Sequence, residues 1–424
     1  MYSSSYVRKS VGMMVTATTS SYKRIRVRIP WKRYFWKASV CEENRSIVLR
    51  RQSSGEILQF PSAWLRDNCQ CSECFSASLH SRIIPLAKFT ARILPSAIEC
   101  FKEEDGRTSV SVNWPDKHRS VYTLEWLKKN NFDEDDQNAR LRDDFKFDKI
   151  TWNANNFAQI IRRFSFETLL QNDNELLNWL VTLKEKGIAI IERAGQDEHL
   201  IEELSRRVGF IKRTTYGKLF RVEADEHSTN AAYRSTPLEL HVDLPYYEYC
   251  PSFVILHYVV QSANQNEGEN HLVDGFELCK QMKNYDSEMY DALVNTIVEW
   301  TDISQHDQQQ MHHIHRAPVI CLDSEGSVVR LNFSQHQRDS RLNTSVEQAN
   351  RWYDAMNWFI HLALLQKNLV KLKMQQGDML TFDNLRVLHG RGAFTSKRCL
   401  IGGYLDADIV DSKIRVLRTK LKSS

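Results

Sequence analysis

The second half of the chain is a succession of short apolar runs separated by polar turns. FVILHYVV (253–260), APVICLD (317–323), SVVRLNF (327–333), GDMLTF (377–382) and CLIGGYL (399–405) are each short strand-like runs. One longer segment (346–365) breaks the series, with Trp352, Met356, Phe359 and Leu362 at helical spacing. Just upstream, Leu176, Leu177, Leu180 and Leu183 mark a helix over 175–186 that Gly187 should stop, and IAII then predicts a buried strand. A second helix is predicted over 199–208, with Leu200, Ile201, Leu204 and Val208 inward. Nearer the N-terminus, SIVLRR and EILQF form a hairpin pattern around Ser53-Ser54-Gly55, and Val110, Val112 and Trp114 alternate as in a half-buried strand. Many short strands with few helices predict a jelly roll or sandwich, mainly β with flanking helices.

Composition adds boundaries. Residues 1–40 contain no Asp or Glu but many Arg, Lys, Ser and Thr, which predicts a basic extension of the mitochondrial transit-peptide kind. Residues 133–148 are strongly charged and poor in apolar side chains, so 131–163 is expected to be a linker. The division expected is therefore an extension (1–40), a small domain (41–130), the linker, and a large domain (164–424). A net charge of +4 is too mild to imply nucleic acid as partner. No apolar run approaches the ~20 residues that span a bilayer, so no membrane partner is expected. Nine cysteines, six of them scattered, do not form a secreted disulfide framework.

Two clusters carry chemistry. Cys69, Cys71 and Cys74 lie within six residues, and soft thiolates so spaced suit Zn(II). A tetrahedral site needs a fourth ligand; His118 in WPDKH and the nearer His80 are the candidates, His118 being expected between a strand and a helix. The second cluster is split. His241 and Asp243 in HVD occupy i and i+2, which project from the same face of an extended strand. His389, far along the chain, completes a set of two imidazoles and one carboxylate, the set that holds non-haem Fe(II) with positions left open. An isolated HxD is common at solvated strand ends, so its surroundings must decide. An anionic co-substrate would need a guanidinium nearby, and Arg386, Arg391 and Arg398 compete for that task.

Taken together, WLRDNCxCxxC, WPDxH, HxDxP, VDGF and FDNxRxLHGR resemble the γ-butyrobetaine dioxygenase and trimethyllysine dioxygenase family, over about residues 46–420. The resemblance implies a small N-terminal zinc-binding β domain and a double-stranded β-helix domain. It implies Fe(II) and Zn(II) as metals, 2-oxoglutarate as co-substrate, ascorbate as reductant, and a homodimer. It places zinc on Cys69, Cys71, Cys74 and His118, iron on His241, Asp243 and His389, and the 2-oxoglutarate carboxylate on Arg398. It further implies an aromatic cage for a trimethylammonium group from Tyr216, Phe220, Tyr233 and Tyr404, with Phe220 standing where Trp is expected. Asn230 and Asn332 match positions that accommodate a plain carboxylate, which favours γ-butyrobetaine, hydroxylated with O2 to L-carnitine, over trimethyllysine. Relatives that act on γ-butyrobetaine are cytosolic and those that act on trimethyllysine mitochondrial, so the basic N-terminus and the pocket point to different compartments. Another quaternary amine as substrate, or an inactive zinc-organised binding module, are the competing readings; decarboxylation of 2-oxoglutarate separates an enzyme from a module.

Overall fold

The structure, a computed structural model, describes residues 35–223, 234–306 and 309–422. They form two compact units that divide between residues 143 and 144.

In the first unit, strands Trp36–Cys41, Ser46–Arg51 and Ile57–Pro61 make an antiparallel sheet, the last two forming the expected hairpin with Ile47 opposite Phe60. Strands Ala97–Lys102, Thr108–Asn113 and Arg119–Thr123 make a second. Trp36, Ile47, Phe60, Val110, Val112 and Trp114 share one core. Trp36 pairs with Arg51, so residues 36–40 are part of this sheet and not of an extension. Composition groups them with the basic tail because strand pairing is invisible to it. Residues 1–34 lie outside the described residues.

Among the described residues, the second unit holds two main sheets that face each other and two two-stranded ones, Val298–His306 with Gln309–Ala317 and Ile320–Leu322 with Val328–Leu331. The larger, six-stranded sheet runs in the order Leu219–Glu223, Cys399–Leu405, Phe253–Val260, Met379–Asp383, Ile188–Glu192 and Arg162–Ser165. The smaller has Leu238–His241, Val387–Arg391, Asn270–Asp274 and Val370–Leu372. Every pairing is antiparallel except that of the last two strands of the larger sheet. Strand alternation sorts the side chains. Val254, Tyr258, Leu380, Phe382, Leu400 and Tyr404 join the core that also contains Leu240, Leu272 and Leu388 of the smaller sheet. Ala189, Ile191, Ile255, Met379, Ile401 and Leu405 point the other way. There they are covered by helices Asp173–Lys186, Leu200–Val208 and Ala407–Lys422. This is the double-stranded β-helix with flanking helices.

The stretch 131–163 is not a linker. Helix Glu134–Asp144 ends the first unit, and the remainder folds into the second, where Trp152 is fully buried. Trp152 donates its backbone N–H to Asp274 and its indole N–H to the Lys186 carbonyl. The apolar anchors of this stretch, Trp152 and Phe157, are too isolated in sequence to generate a period. Gly187 ends its helix in the left-handed region (φ 76°), where glycine has no steric cost.

Candidate functional site

In the first unit, the cysteine loop and the turn carrying His118 converge. Nε2 of His118 lies 3.2 Å from Sγ of Cys69 and 3.6 Å from those of Cys71 and Cys74. A tetrahedron with Zn–S near 2.3 Å and Zn–N near 2.0 Å has S···N edges of roughly 3.5 Å, so the three thiols and the imidazole fit Zn(II). His80, exposed and at φ 48°, is not in the cluster. The segment after His118 is a strand and not the expected helix, because Ser120-Val121-Tyr122 alternates inward and outward; the helix begins at Leu124. Burial, then the Arg66 cation, lowers the pKa of His118 and keeps its ring neutral, as a metal ligand requires. Arg66 itself donates to both Asp116 and Cys74 Sγ, tying the two segments together.

The second cluster is assembled by strand register. His241 ends one strand of the smaller sheet and sits directly opposite His389 on the next. Gly390 permits this approach, since a Cβ there would lie 2.6 Å from the Leu238 carbonyl oxygen. Asp243 Oδ1 is 3.3 Å from His241 Nε2 and 3.4 Å from His389 Nε2. Neighbouring ligands of an octahedral ion with bonds of about 2.1 Å are separated by roughly 3 Å, so the set fits Fe(II) after a small contraction. Nδ1 of His241 donates to the Glu239 carbonyl (2.9 Å), which leaves Nε2 as the ligand atom. Burial alone would raise the pKa of Asp243, but the His389 and His241 imidazoles outweigh it and hold the carboxyl well below the usual range.

Residues outside the expected set hold Asp243 in place. Asn384, from the FDN segment, accepts from the Asp243 N–H and donates to its carbonyl. The next residue, Leu244, is at φ 56°, a strained position for a branched side chain. Arg330 secures the loop beyond it by donating to the carbonyls of Pro245, Tyr247 and Glu248. His336 packs edge-on to His241 at 5.5 Å between ring centroids. FDN is part of a recognisable motif, whereas nothing local in the sequence marks Arg330 or His336 as neighbours of the metal ligands.

The three competing arginines separate clearly. Arg386 is fully buried in a two-point pair with Asp274 (2.9 and 2.7 Å) and also donates to the carbonyls of Glu185 and Ile150. It holds structure together. Arg391 donates to the carbonyls of Arg234 and Thr236, and burial, then the Arg398 cation, lowers its pKa to about 10. Arg398 is 3% exposed, and its guanidinium lies over the rings of Tyr258 and Phe394. Its Nε has no hydrogen-bond partner, and no ion pair among the described residues involves it. A buried cation so placed fits the distant carboxylate of 2-oxoglutarate.

Of the expected aromatics, Phe220 and Tyr404 stack at 5.0 Å between centroids, and Tyr216 lies 6.3 Å from Phe220. Phe220 can reach this position because residue 402 opposite it is glycine; a Cβ there would lie 2.0 Å from the ring. The Tyr404 hydroxyl donates to Asp243 Oδ2 at 3.1 Å. Burial, then the Asp243 carboxylate, pushes the Tyr404 phenol well above its ordinary pKa, so it remains a donor. Asn230 and Tyr233 lie outside the described residues. Asn332 is fully buried with its amide engaged elsewhere: it donates to the Pro318 carbonyl and accepts from Arg330.

Comparison with known proteins agrees with this geometry. Residues 149–404 match the family model "Taurine catabolism dioxygenase TauD, TfdA family", and residues 42–128 match "Gamma-butyrobetaine hydroxylase-like, N-terminal". The chain is 31% identical to the γ-butyrobetaine dioxygenase of Homo sapiens, over 86% of its own length and 92% of that protein. It is 28% identical to the mitochondrial trimethyllysine dioxygenase of Bos taurus (86% and 84%) and to the γ-butyrobetaine dioxygenase of Pseudomonas sp. strain AK-1 (86% and 92%).

Proposed function

The chain belongs to the TauD, TfdA dioxygenase family, and from that premise we propose that it hydroxylates γ-butyrobetaine to L-carnitine. It is an Fe(II)- and 2-oxoglutarate-dependent dioxygenase with a small-molecule substrate and O2. The observation that carries a quaternary amine as substrate is the Phe220–Tyr404 aromatic pair set directly on the metal ligand Asp243. The choice of γ-butyrobetaine over trimethyllysine, which shares the trimethylammonium group, is supported by Asn230 and Asn332 and by the 31% identity to a γ-butyrobetaine dioxygenase. A trimethylammonium group has no proton to donate and is held best by aromatic faces. Such a wall beside the ligand set would bring a chosen C–H bond of the amine within reach of the metal.

Fe(II) bound with 2-oxoglutarate supplies the oxidising chemistry, in which the keto acid is converted to succinate and CO2. The residues of the chain do the rest. His241, Asp243 and His389 present one face of ligands and leave the other sites open. Arg398 anchors the co-substrate through its carboxylate, and the packed rings of Tyr258 and Phe394 keep that guanidinium out of water. Asn384 fixes the backbone of Asp243, so the ligand face is set before the co-substrate arrives. Tyr216, Phe220, Tyr233 and Tyr404 form the cage in this proposal. The plain carboxylate is assigned to Asn230 together with Asn332, which would have to exchange its bond to Arg330. We also propose a homodimer, as the resemblance implies.

Competition between two amines tests the reading. With Fe(II), 2-oxoglutarate and O2, γ-butyrobetaine should be consumed faster than trimethyllysine. Equal or reversed rates would remove the substrate assignment while leaving the family intact.

A further inference from the structure

The two oxygens of Asp243 have different neighbours. Oδ1 faces Nε2 of both histidines, at 3.3 and 3.4 Å, whereas Oδ2 accepts the hydroxyl of Tyr404 at 3.1 Å. We propose that Tyr404 is a positioning residue for the metal: its hydroxyl holds Oδ2 away, so that Asp243 binds through Oδ1 alone. A carboxylate can otherwise coordinate through both oxygens and occupy a site that the co-substrate or O2 needs. Hydrogen bonds to the outer atoms of metal ligands commonly fix ligand orientation and tune affinity in this way.

The same side chain also belongs to the aromatic wall. Its ring stacks on Phe220 at 28° between planes, and Phe220 in turn lies against Gly402. Tyr404 is held at both ends, by a ring on one side and the Asp243 carboxylate on the other. This role of Tyr404 depends on the metal-site assignment and not on the choice of amine; failure to turn over γ-butyrobetaine would leave it standing.

The test separates hydroxyl from ring in the zinc-loaded full-length chain. Mn(II), which suits a histidine and carboxylate site and not a thiolate one, is titrated in the presence of 2-oxoglutarate and its free signal followed by electron paramagnetic resonance. Tyr404→Phe should weaken Mn(II) binding about 10- to 100-fold. Phe220→Leu, which removes the stacked ring and leaves the hydroxyl, should retain Mn(II) affinity. Unchanged Mn(II) binding in Tyr404→Phe, or equal losses in both variants, would overturn the proposal. Asp243→Asn supplies a check against a mere folding defect. In that background the Tyr404 change should cost little further affinity, because the hydroxyl acts through the carboxylate. A full additive loss would contradict it.

Discussion

Arg398 and Arg386 show how two arginines twelve residues apart come to have opposite tasks. Arg386 meets Asp274 at two points, and both side chains are completely buried. Arg398 is buried against Tyr258 and Phe394 with an Nε that nothing in the described protein satisfies. Desolvating a cation is expensive, so its persistence is understandable if an anion arrives to share the site. Arg398→Met should therefore raise the KM for 2-oxoglutarate by about 30-fold or more, the equivalent of at least 2 kcal/mol for a truncated buried charge pair. Steady-state succinate formation at varied 2-oxoglutarate checks this; an unchanged KM would return the anchor to Arg391. In the sequence it is the resemblance that points to Arg398, and a period of two from there leads to Leu400, Gly402 and Tyr404 of the following strand. Asn332 shows the opposite case. It matches a pocket position, yet its amide is engaged with Pro318 and Arg330, a partnership that no local pattern announces.

At the level of elements, the site exists because Leu238–His241 and Val387–Arg391 pair with His241 opposite His389. A shift of one residue would turn one imidazole to the far side of the sheet. The buried Arg386–Asp274 pair fixes the same strand against its other neighbour, Asn270–Asp274. Arg386 lies at the start of the strand that carries His389, and Asp274 ends its neighbour while capping helix Gly275–Tyr285 through the Phe276 N–H. Arg386→Met should destabilise the second unit by about 3–5 kcal/mol, the usual loss when one partner of a buried pair is removed. Urea unfolding monitored by tryptophan fluorescence checks the value; a loss below about 1 kcal/mol would show that the pair is dispensable. Strands that are continuous apolar runs bounded by polar residues, such as Phe253–Val260 and Cys399–Leu405, are readable from the sequence. Helix Ala407–Lys422 carries a helical period as well, with its buried Val410, Ile414 and Leu417 at i, i+4 and i+7, but three apolar positions stand out weakly in so charged a segment.

For the whole molecule, the chemistry is more readable in the sequence than the borders. Both ligand clusters are evident, the first because thiols at close spacing have few other uses and the second because the common HxD is joined by the far more specific FDNxRxLHGR motif that carries the third ligand. The borders fail where single large side chains, Trp36 and Trp152, attach otherwise polar stretches to a core. Each unit carries its own metal set, three thiols with an imidazole in one and two imidazoles with a carboxylate in the other. The first would stabilise folding and the second would perform chemistry, a division that follows from whether coordination positions stay open. The most direct measurement of the central claim is turnover of γ-butyrobetaine under isotopically labelled O2, with Fe(II) and 2-oxoglutarate. The account predicts one labelled oxygen in the hydroxylated amine and the other in succinate. Unlabelled products, or succinate formed with no hydroxylated amine, would contradict it.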